Sequence, residues 1–479
     1  MASNGTKLAG LITTVIVIVA YIFNRNDNEF GKRVDSVLSG LLHVETQAIS
    51  MPKPKIAIGF GACKDLVVKA TDVLKYSKDS PISATHYDVI RTKEELNEVF
   101  AYFFVHGAAA ERYIGNATLF KELIAVAEQQ KEARWTMGGN APVMGSRFAS
   151  EGCEVLLGAS LSNQLKQSLH PVVKVTGGNL DEDDVHLILE YPTGEIWGPF
   201  QAPRANRFIV HSDNNNPNLM GLESFQQRLA TYSPDLLIIS GLQMMDHYPF
   251  QEGKRRSRLE KVQEIMKSQA NSTKIHFEMA SFADDSLLKE LTELVIPNAN
   301  SLGMNEQELT NLYMLLSYGN ISLVSDAHPR IATVLDQMRT VFQLLRSQNK
   351  KHDRQLTRLH VHTLAYQAIM VDKGSPWKNI RAAAAKASLT AHRHTCGSMH
   401  IDVKKAQLLV DESFSTSQND GSQRVPFDPE SPVACWAESD RTDNYSVEMC
   451  VSPVLVCIAP VQTAGGGDNI SSAGLVLQI

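Results

Sequence analysis

The sequence predicts an α/β protein, a doubly wound, mostly parallel sheet that carries a small β-sheet lid. Three observations lead there. Past residue 50, short apolar runs alternate with helical stretches, as in successive βαβ units. Some runs, such as Leu236-Leu237-Ile238-Ile239, are continuously apolar, as strands buried on both faces are. Two further stretches read as antiparallel strands and interrupt the alternation.

The alternation opens with Ile56-Ala57-Ile58-Gly59 as a strand. Asp65 to Tyr76 reads as helix and Val155-Leu156-Leu157-Gly158 as strand. The run at Leu236 ends at Ser240-Gly241. Arg258 to Ser268 spaces Leu259, Val262, Ile265 and Met266 as one helix face. Ile275-His276-Phe277-Glu278 returns to strand. Val334 to Leu345 is a helix with Leu335, Met338, Val341, Phe342 and Leu345 on one side. Leu359-His360-Val361-His362 is again a strand, its two histidines read as facing opposite ways. The interrupting stretches are Ala101-Tyr102-Phe103-Phe104-Val105 and His186 to Trp197, the second with a turn at Pro192-Thr193-Gly194. They delimit lid segments of about 97–116 and 184–212 in a domain running over 51–479. Asp411 to Pro432, rich in Ser, Asp, Asn and Pro, reads as a mobile surface loop, because the core resumes at Val454-Leu455-Val456-Cys457-Ile458.

The chain has 479 residues, 43% hydrophobic and 20% charged, with ample material for a core. Its net charge is −6, which excludes a basic nucleic-acid footprint. The densest basic cluster, Lys254-Arg255-Arg256, reads as the solvated face of a helix. Six cysteines are too few for a disulfide scaffold.

Residues 1–50 differ in character. Leu8 to Phe23 carries no charge, with Lys7 before it and Arg25 after it. As a helix it would span about 24 Å at ~1.5 Å per residue. It reads as a signal peptide or signal anchor followed by a tether. The expected location is the endoplasmic reticulum membrane or lumen, within the secretory pathway. Sequons at Asn4, Asn116, Asn271, Asn320, Asn444 and Asn469 fit a lumenal chain.

Chemistry points to the C-terminus, where Thr463-Ala464-Gly465-Gly466-Gly467-Asp468 follows an apolar run. Consecutive glycines let backbone N–H groups converge on an anion, and a helix beginning there favours negative charge. An acid in that place can take a proton from a substrate hydroxyl while the amides hold phosphoryl oxygens. A glycine-rich turn with a capping Asp is the plain alternative.

Further stretches carry a resemblance: His106-Gly107-Ala108-Ala109-Ala110-Glu111-Arg112, Met137-Gly138-Gly139-Asn140-Ala141, Asn206-Arg207-Phe208-Ile209, Ser240-Gly241-Leu242-Gln243, His276-Phe277-Glu278, Gly303-Met304-Asn305-Glu306-Gln307-Glu308-Leu309 and His360-Val361-His362-Thr363. In this order, with the glycine turn, the chain from Ile56 to Ser472 resembles the ADP-dependent glucokinases of the animal type, within the ribokinase-like superfamily. The resemblance implies transfer of phosphate from ADP to the 6-hydroxyl of glucose with Mg²⁺, giving glucose 6-phosphate and AMP.

The resemblance also implies residue roles. Asp468 is the catalytic base, and Gly465, Gly466 and Gly467 form the anion hole. Glu278 and Glu308, with Asp468, hold the metal. Arg207 binds phosphate. Asp65, Glu111, Gly138, Gly139 and Asn140 hold the sugar, and the strand with His360 lies near the nucleotide base. It further implies a monomer whose partners are ADP and glucose, with the membrane reached through Leu8–Phe23 if that run is uncleaved. Three positions depart from the family pattern, one of them Lys64. Gly61 stands where an asparagine is usual, and Gly466 where a leucine is usual.

Read from the residues alone, Glu278, Glu308, Arg207 and Asp65 are equally surface acids and a salt-bridge partner, and Glu306 rivals Glu308. Rival functions are a ribokinase-like kinase that uses ATP on another sugar or nucleoside, and a membrane-tethered nucleotide-binding protein of weakened activity. A metal module at His392, His394, Cys396 and His400 is a third, unless Cys396 pairs with Cys450 or Cys457.

Overall fold

The computed structural model describes residues 31–49, 52–79, 81–348, 354–440 and 445–479. The hydrophobic run Leu8–Phe23 and the sequons at Asn4 and Asn444 lie outside these. Among the described residues, no helix is long and apolar enough to cross a membrane.

A ten-stranded sheet forms the body. From one edge its strands are Ala434–Asp440, Tyr445–Pro453, Tyr366–Asp372, Arg358–His362, Ser301–Asn305, Lys274–Glu278, Leu236–Ile239, Lys55–Gly59, Glu154–Gly158 and Val173–Thr176. The seven from Arg358–His362 to Val173–Thr176 run parallel, and the other three each pair antiparallel with their neighbours. Both faces are buried, as the continuous apolar runs require. Ala57, Leu237 and Ile239 join one core, with the helices Leu222–Tyr232, Lys254–Lys267, Asp285–Leu294 and Ile331–Gln348. Ile56, Ile58, Leu236 and Ile238 join the other, with Asn140–Ser150, Ile380–Thr395 and Gly466–Val476. The chain departs from Lys55–Gly59 toward one edge and returns to Leu236–Ile239 on its other side. That reversal opens a crevice beyond the carboxyl ends of the strands.

A second, five-stranded sheet covers the crevice. Its order is Ala110–Tyr113, Asn206–His211, Val185–Tyr191, Cys63–Lys69 and Arg134–Gly138. It draws on 63–69 and 134–138 as well as the two segments expected for a lid. Asp65 is therefore in a strand; only Ala70–Val73 of the expected helix is helical.

Other expectations fail for local reasons. Ala101 to Val105 lies inside the helix Lys93–His106. Its aromatic residues suit a strand, but Thr92 and Glu95 form a capping box, and Leu96, Val99, Phe100, Phe103 and Phe104 make one buried face. Asp411 to Pro432 is not a bare loop. Ser413–Ser415 pairs with Arg424–Pro426, and Phe414 packs against the buried Phe427 with ring centroids 4.9 Å apart. Beyond Val454 and Leu455, which are buried, only Val456–Cys457 pairs, with Ala406–Gln407; Ile458 is exposed. Residues 31–46, expected in a tether, form a helix that buries Val34, Val37, Leu41 and Val44. Its Glu45 meets Lys386 at 3.2 Å.

Candidate active site

The strand ends and the small sheet enclose a cleft of about 680 Å³. Of the expected site residues, Glu111, Asn140, Arg207, Glu278, Glu308, Gly465, Gly466, Gly467 and Asp468 line it. Asp65, Gly138, Gly139 and His360 do not. Asp65 is buried against Gly138, where a Cβ would fall 1.8 Å from its Oδ1.

The glycine turn opens the helix Gly466–Val476. Gly465, at φ 69°, is its N-cap, and Asp468 sits in its first turn. First-turn amides have no acceptor within a helix and point toward the cleft end. Gly467 lets the helix start approach the strand Arg358–His362, since a Cβ there would lie 2.9 Å from His362 Cε1. His394 braces the turn through Nε2 and Ala464 O, 2.8 Å apart. The small sheet reaches it as well: Thr463 N donates to Glu190 Oε1 at 2.8 Å.

The metal-module reading is overturned by these bonds. Cys396 is joined to Cys457, one of the two partners expected for it. His392 Nδ1 bonds Leu455 O at 2.6 Å, and His394 holds the turn. A second disulfide joins Cys435 and Cys450.

Asp468 is half-buried. Burial and the nearby charge of Glu278 push its pKa up to about 7, against the opposing effect of a hydrogen bond from Asn140. That bond, Asn140 Nδ2 to Asp468 Oδ1 at 2.9 Å, begins a line of contacts. Gln243 Nε2 donates to Asn140 Oδ1 at 2.8 Å and to Glu111 Oε2 at 3.2 Å. Asn140, expected on the sugar, thus also holds the acid. Gln243 Oε1 and Arg207 Nε are buried without a protein partner among the described residues, at the wall of the cleft. Such groups are set toward a ligand.

Glu278 ends the strand Lys274–Glu278. Burial raises its pKa, but His276, bonded at 2.8 Å, and His362, 3.9 Å away, bring it down to about 2. Ser471 Oγ donates to its other oxygen. Glu308 forms a capping box with Asn305, accepting from Asn305 N and Nδ2 at 2.8 Å each. Burial raises it to about 7, with Glu278 and Glu306 adding to the shift. Its rival Glu306 is engaged by Arg204 Nη1 at 2.8 Å.

His360 is fully buried and bonded to Gln367 Oε1 at 3.2 Å. Residues two apart on a strand share a face, so His360 and His362 point the same way, with rings 6.1 Å apart. His362, Thr363 and Leu364 reach the cleft instead. At the first departure, Gly61 has φ 77°, and a Cβ there would meet Gly241 Cα at 2.9 Å. The two loops at the sheet's reversal touch backbone to backbone, which leaves an asparagine no room. Gln243 and His362 stood in the sequence stretches that carry the resemblance, at or just past the ends of apolar strands, where ligands of such sheets bind, but without a role assigned to them.

A parallel sheet with its cleft at a topological reversal, an acid at a glycine-opened helix start and a sheet folded across the opening define a ribokinase-like phosphotransferase. The conserved region of ADP-specific phosphofructokinases and glucokinases matches residues 54–477. The chain belongs to this family, and it is an enzyme of the ADP-dependent sugar kinases. It is 35% identical to the ADP-dependent glucokinase of Bos taurus over 427 residues, 88% of this chain and 84% of that one. It is 29% identical to a probable ADP-dependent glucokinase of Caenorhabditis elegans over 488 residues, 97% and 94% of the two chains. A solved ADP-dependent kinase complex with fructose-6-phosphate and ADPβS superposes with a TM-score of 0.65 at 19% identity, covering 94% of this chain and 97% of that one. At that identity the likeness is one of fold.

Proposed function

We propose that this chain phosphorylates D-glucose at its 6-hydroxyl with ADP and Mg²⁺, releasing glucose 6-phosphate and AMP. The observation that carries the reading is the line from Asp468 through Asn140 and Gln243 to Glu111, which spans the cleft from helix start to small sheet. Glu111 faces the sugar end, and its carboxylate repels a sugar that already bears phosphate. The names of the relatives also support glucose.

In this reading Glu111 and Gln243 accept from sugar hydroxyls and turn the 6-hydroxyl toward Asp468. The hydroxyl oxygen attacks the β-phosphorus of ADP as Asp468 takes its proton. The bond from that phosphorus to the bridging oxygen breaks, and AMP leaves. A base with a pKa near 7 suits proton transfer at neutral pH. The first-turn amides and Arg207 hold the phosphoryl oxygens.

The residues fit a hard divalent cation. Glu278, Glu308 and Asp468 offer only oxygen donors, and two of the three are pushed toward neutrality partly by the charge of Glu278. Glu278 and Glu308 would hold Mg²⁺, with Asp468 beside them. Bound there, the ion neutralises phosphoryl charge. The test is turnover of glucose with ADP and with ATP side by side. Turnover with ADP is expected; turnover with ATP alone, or on fructose 6-phosphate and not glucose, overturns the reading.

For location, we propose that Leu8–Phe23 holds the catalytic part on the lumenal side of the endoplasmic reticulum. The two disulfides support an oxidising compartment. Protection from protease in intact microsomes is expected; digestion without detergent overturns it.

A further inference from the structure

The turn that opens the helix Gly466–Val476 is gripped from across the cleft. Thr463 O accepts from Gly466 N at 3.4 Å, so Thr463 begins a β-turn, and Gly465, the third of its four residues, has φ 69°. Glu190, on the small-sheet strand Val185–Tyr191, holds that first residue twice. Its Oε1 accepts from Thr463 N at 2.8 Å and from Thr463 Oγ1 at 2.7 Å. Its Oε2 accepts from Arg134 Nη2 at 3.1 Å, and Arg134 also donates to Val461 O at 3.3 Å. The body holds the neighbouring residues: Thr395 O accepts from Val461 N at 2.8 Å, and His394 braces Ala464 O.

Sheet register puts this carboxylate where it can act on the turn. Glu190 pairs directly with Arg207 on Asn206–His211, and Ile188 pairs with Ile209, which in turn pairs with Glu111. Paired residues share a face, as do residues two apart along a strand. Glu111, Glu190 and Arg207 therefore stand on one face of the small sheet, and Glu111 and Arg207 line the cleft. Thr463 lines it from the glycine turn. Two cationic side chains, Lys69 and Arg207, flank Glu190 in its row. Among the described residues Glu190 forms an ion pair with neither, and Lys69 goes to Glu195 at 3.0 Å.

We propose that Glu190 is a positioning residue for phosphoryl transfer: by holding Thr463 through both its amide and its hydroxyl, it sets the turn whose following glycine amides hold the phosphoryl oxygens. This rests on the reading of Gly465, Gly466 and Gly467 as the anion hole. Amides stabilise developing charge when they are fixed before the reaction, and consecutive glycines leave a turn free to rotate. A carboxylate oxygen that accepts two bonds from one residue fixes the peptide plane and the side chain of that residue together. The small sheet thus carries Glu111 to the acceptor and sets the donor's turn through Glu190, and the turn is complete only with that sheet across the cleft.

Two measurements test the proposal. The first needs no substrate: hydrogen exchange of the ligand-free protein, read by mass spectrometry on a peptide covering 460–468. Glu190→Ala speeds exchange there about tenfold or more, and Glu190→Gln, which keeps an acceptor oxygen, recovers most of the protection. Unchanged exchange in Glu190→Ala overturns the grip, whatever the enzyme phosphorylates. The second is turnover, measured with the donor and acceptor that the wild type uses, so a wrong assignment of substrate leaves the comparison standing. Glu190→Ala lowers kcat roughly 10- to 100-fold, with the KM for the acceptor within about threefold. Glu190→Gln recovers most of that loss.

Arg134→Ala, which removes the other partner of the carboxylate, leaves kcat within about threefold. Thr463→Ala removes the hydroxyl bond alone. It lowers kcat by less than Glu190→Ala, serves if Glu190→Ala does not fold, and adds no further loss to Glu190→Ala in the double variant. A loss carried by the acceptor KM at unchanged kcat, an equal loss in Arg134→Ala, or multiplied losses in the double variant would overturn the proposal.

Discussion

Two groups of acids lie at or behind opposite walls of the same cleft, and they are neutralised differently. On the large-sheet side, Glu278, Glu308 and Asp468 stand together, with His362 and Arg207 as nearby cationic groups. Glu278 has two histidines, His276 and His362, beside it and is held down to about 2, and the other two are pushed up to about 7. On the small-sheet side, Glu111 and Asp213 flank His186, and both lie below the ordinary carboxylate range because His186 and His211 together outweigh burial. A wall short of internal positive charge is suited to a cation arriving with its substrate. A wall whose acids are already met by histidines is suited to a neutral polyol. In the proposed function, the contrast puts metal and phosphate at one end of the cleft and sugar at the other.

The largest test of that contrast removes the acid at the helix start. Asp468→Ala should lower kcat by ~10²–10⁴ while ADP binding, followed by calorimetry, stays largely intact. Near-normal turnover would take the base away from the large-sheet wall.

A medium effect follows from the two raised acids. Asp468 and Glu308 bind a proton more tightly folded than unfolded, since their folded values near 7 exceed the ordinary 3.8 and 4.5. Their contribution to stability is therefore present below the unfolded values and is lost as pH rises toward 7. A cation bound there should offset that loss. The rise in Tm on adding Mg²⁺ should be larger at about pH 8 than at about pH 5.5, where protons compete with the ion. Glu278→Gln and Glu308→Gln should each raise the Mg²⁺ needed for half-maximal turnover about tenfold or more. Equal Tm shifts at both pH values and unchanged magnesium titrations would separate these acids from the metal.

The smallest effect concerns the turn itself. Gly466 has ordinary helical φ, and a Cβ there would make normal contact with His394 Cδ2 at 3.7 Å. Gly466→Ala should stabilise the protein by about 0.4–1 kcal/mol by restricting the unfolded chain, with kcat within about twofold. A denaturant midpoint that falls would mean that the anion-binding turn needs glycine at this place as well as at Gly465 and Gly467.

Much of the body was legible because its signals are local. Leu236–Ile239 read as a buried strand because both its faces meet a core, and no polar alternation remains. Asp468 was visible because consecutive glycines before an acid already imply an anion site. The aromatic run Ala101 to Val105 was misread because its side chains suit a strand as well as a helix, and only the capping box at Thr92 and Glu95 told them apart. Cys63–Lys69 was misread because its central strand neighbours, Val185–Tyr191 and Arg134–Gly138, come from much later in the chain.

By itself, then, the sequence determined the alternating parallel sheet, the glycine-opened helix and the identity of most acids at the cleft. Tertiary structure decided which of those acids meet. Asn140 reaches Asp468 across 328 positions, Gln243 reaches Glu111 across 132, and His186 finds Asp213 across 27. No periodicity encodes such pairs. A strand-end side chain follows the register of its whole sheet, and register is set by packing along the entire strand, not by the residue that uses it.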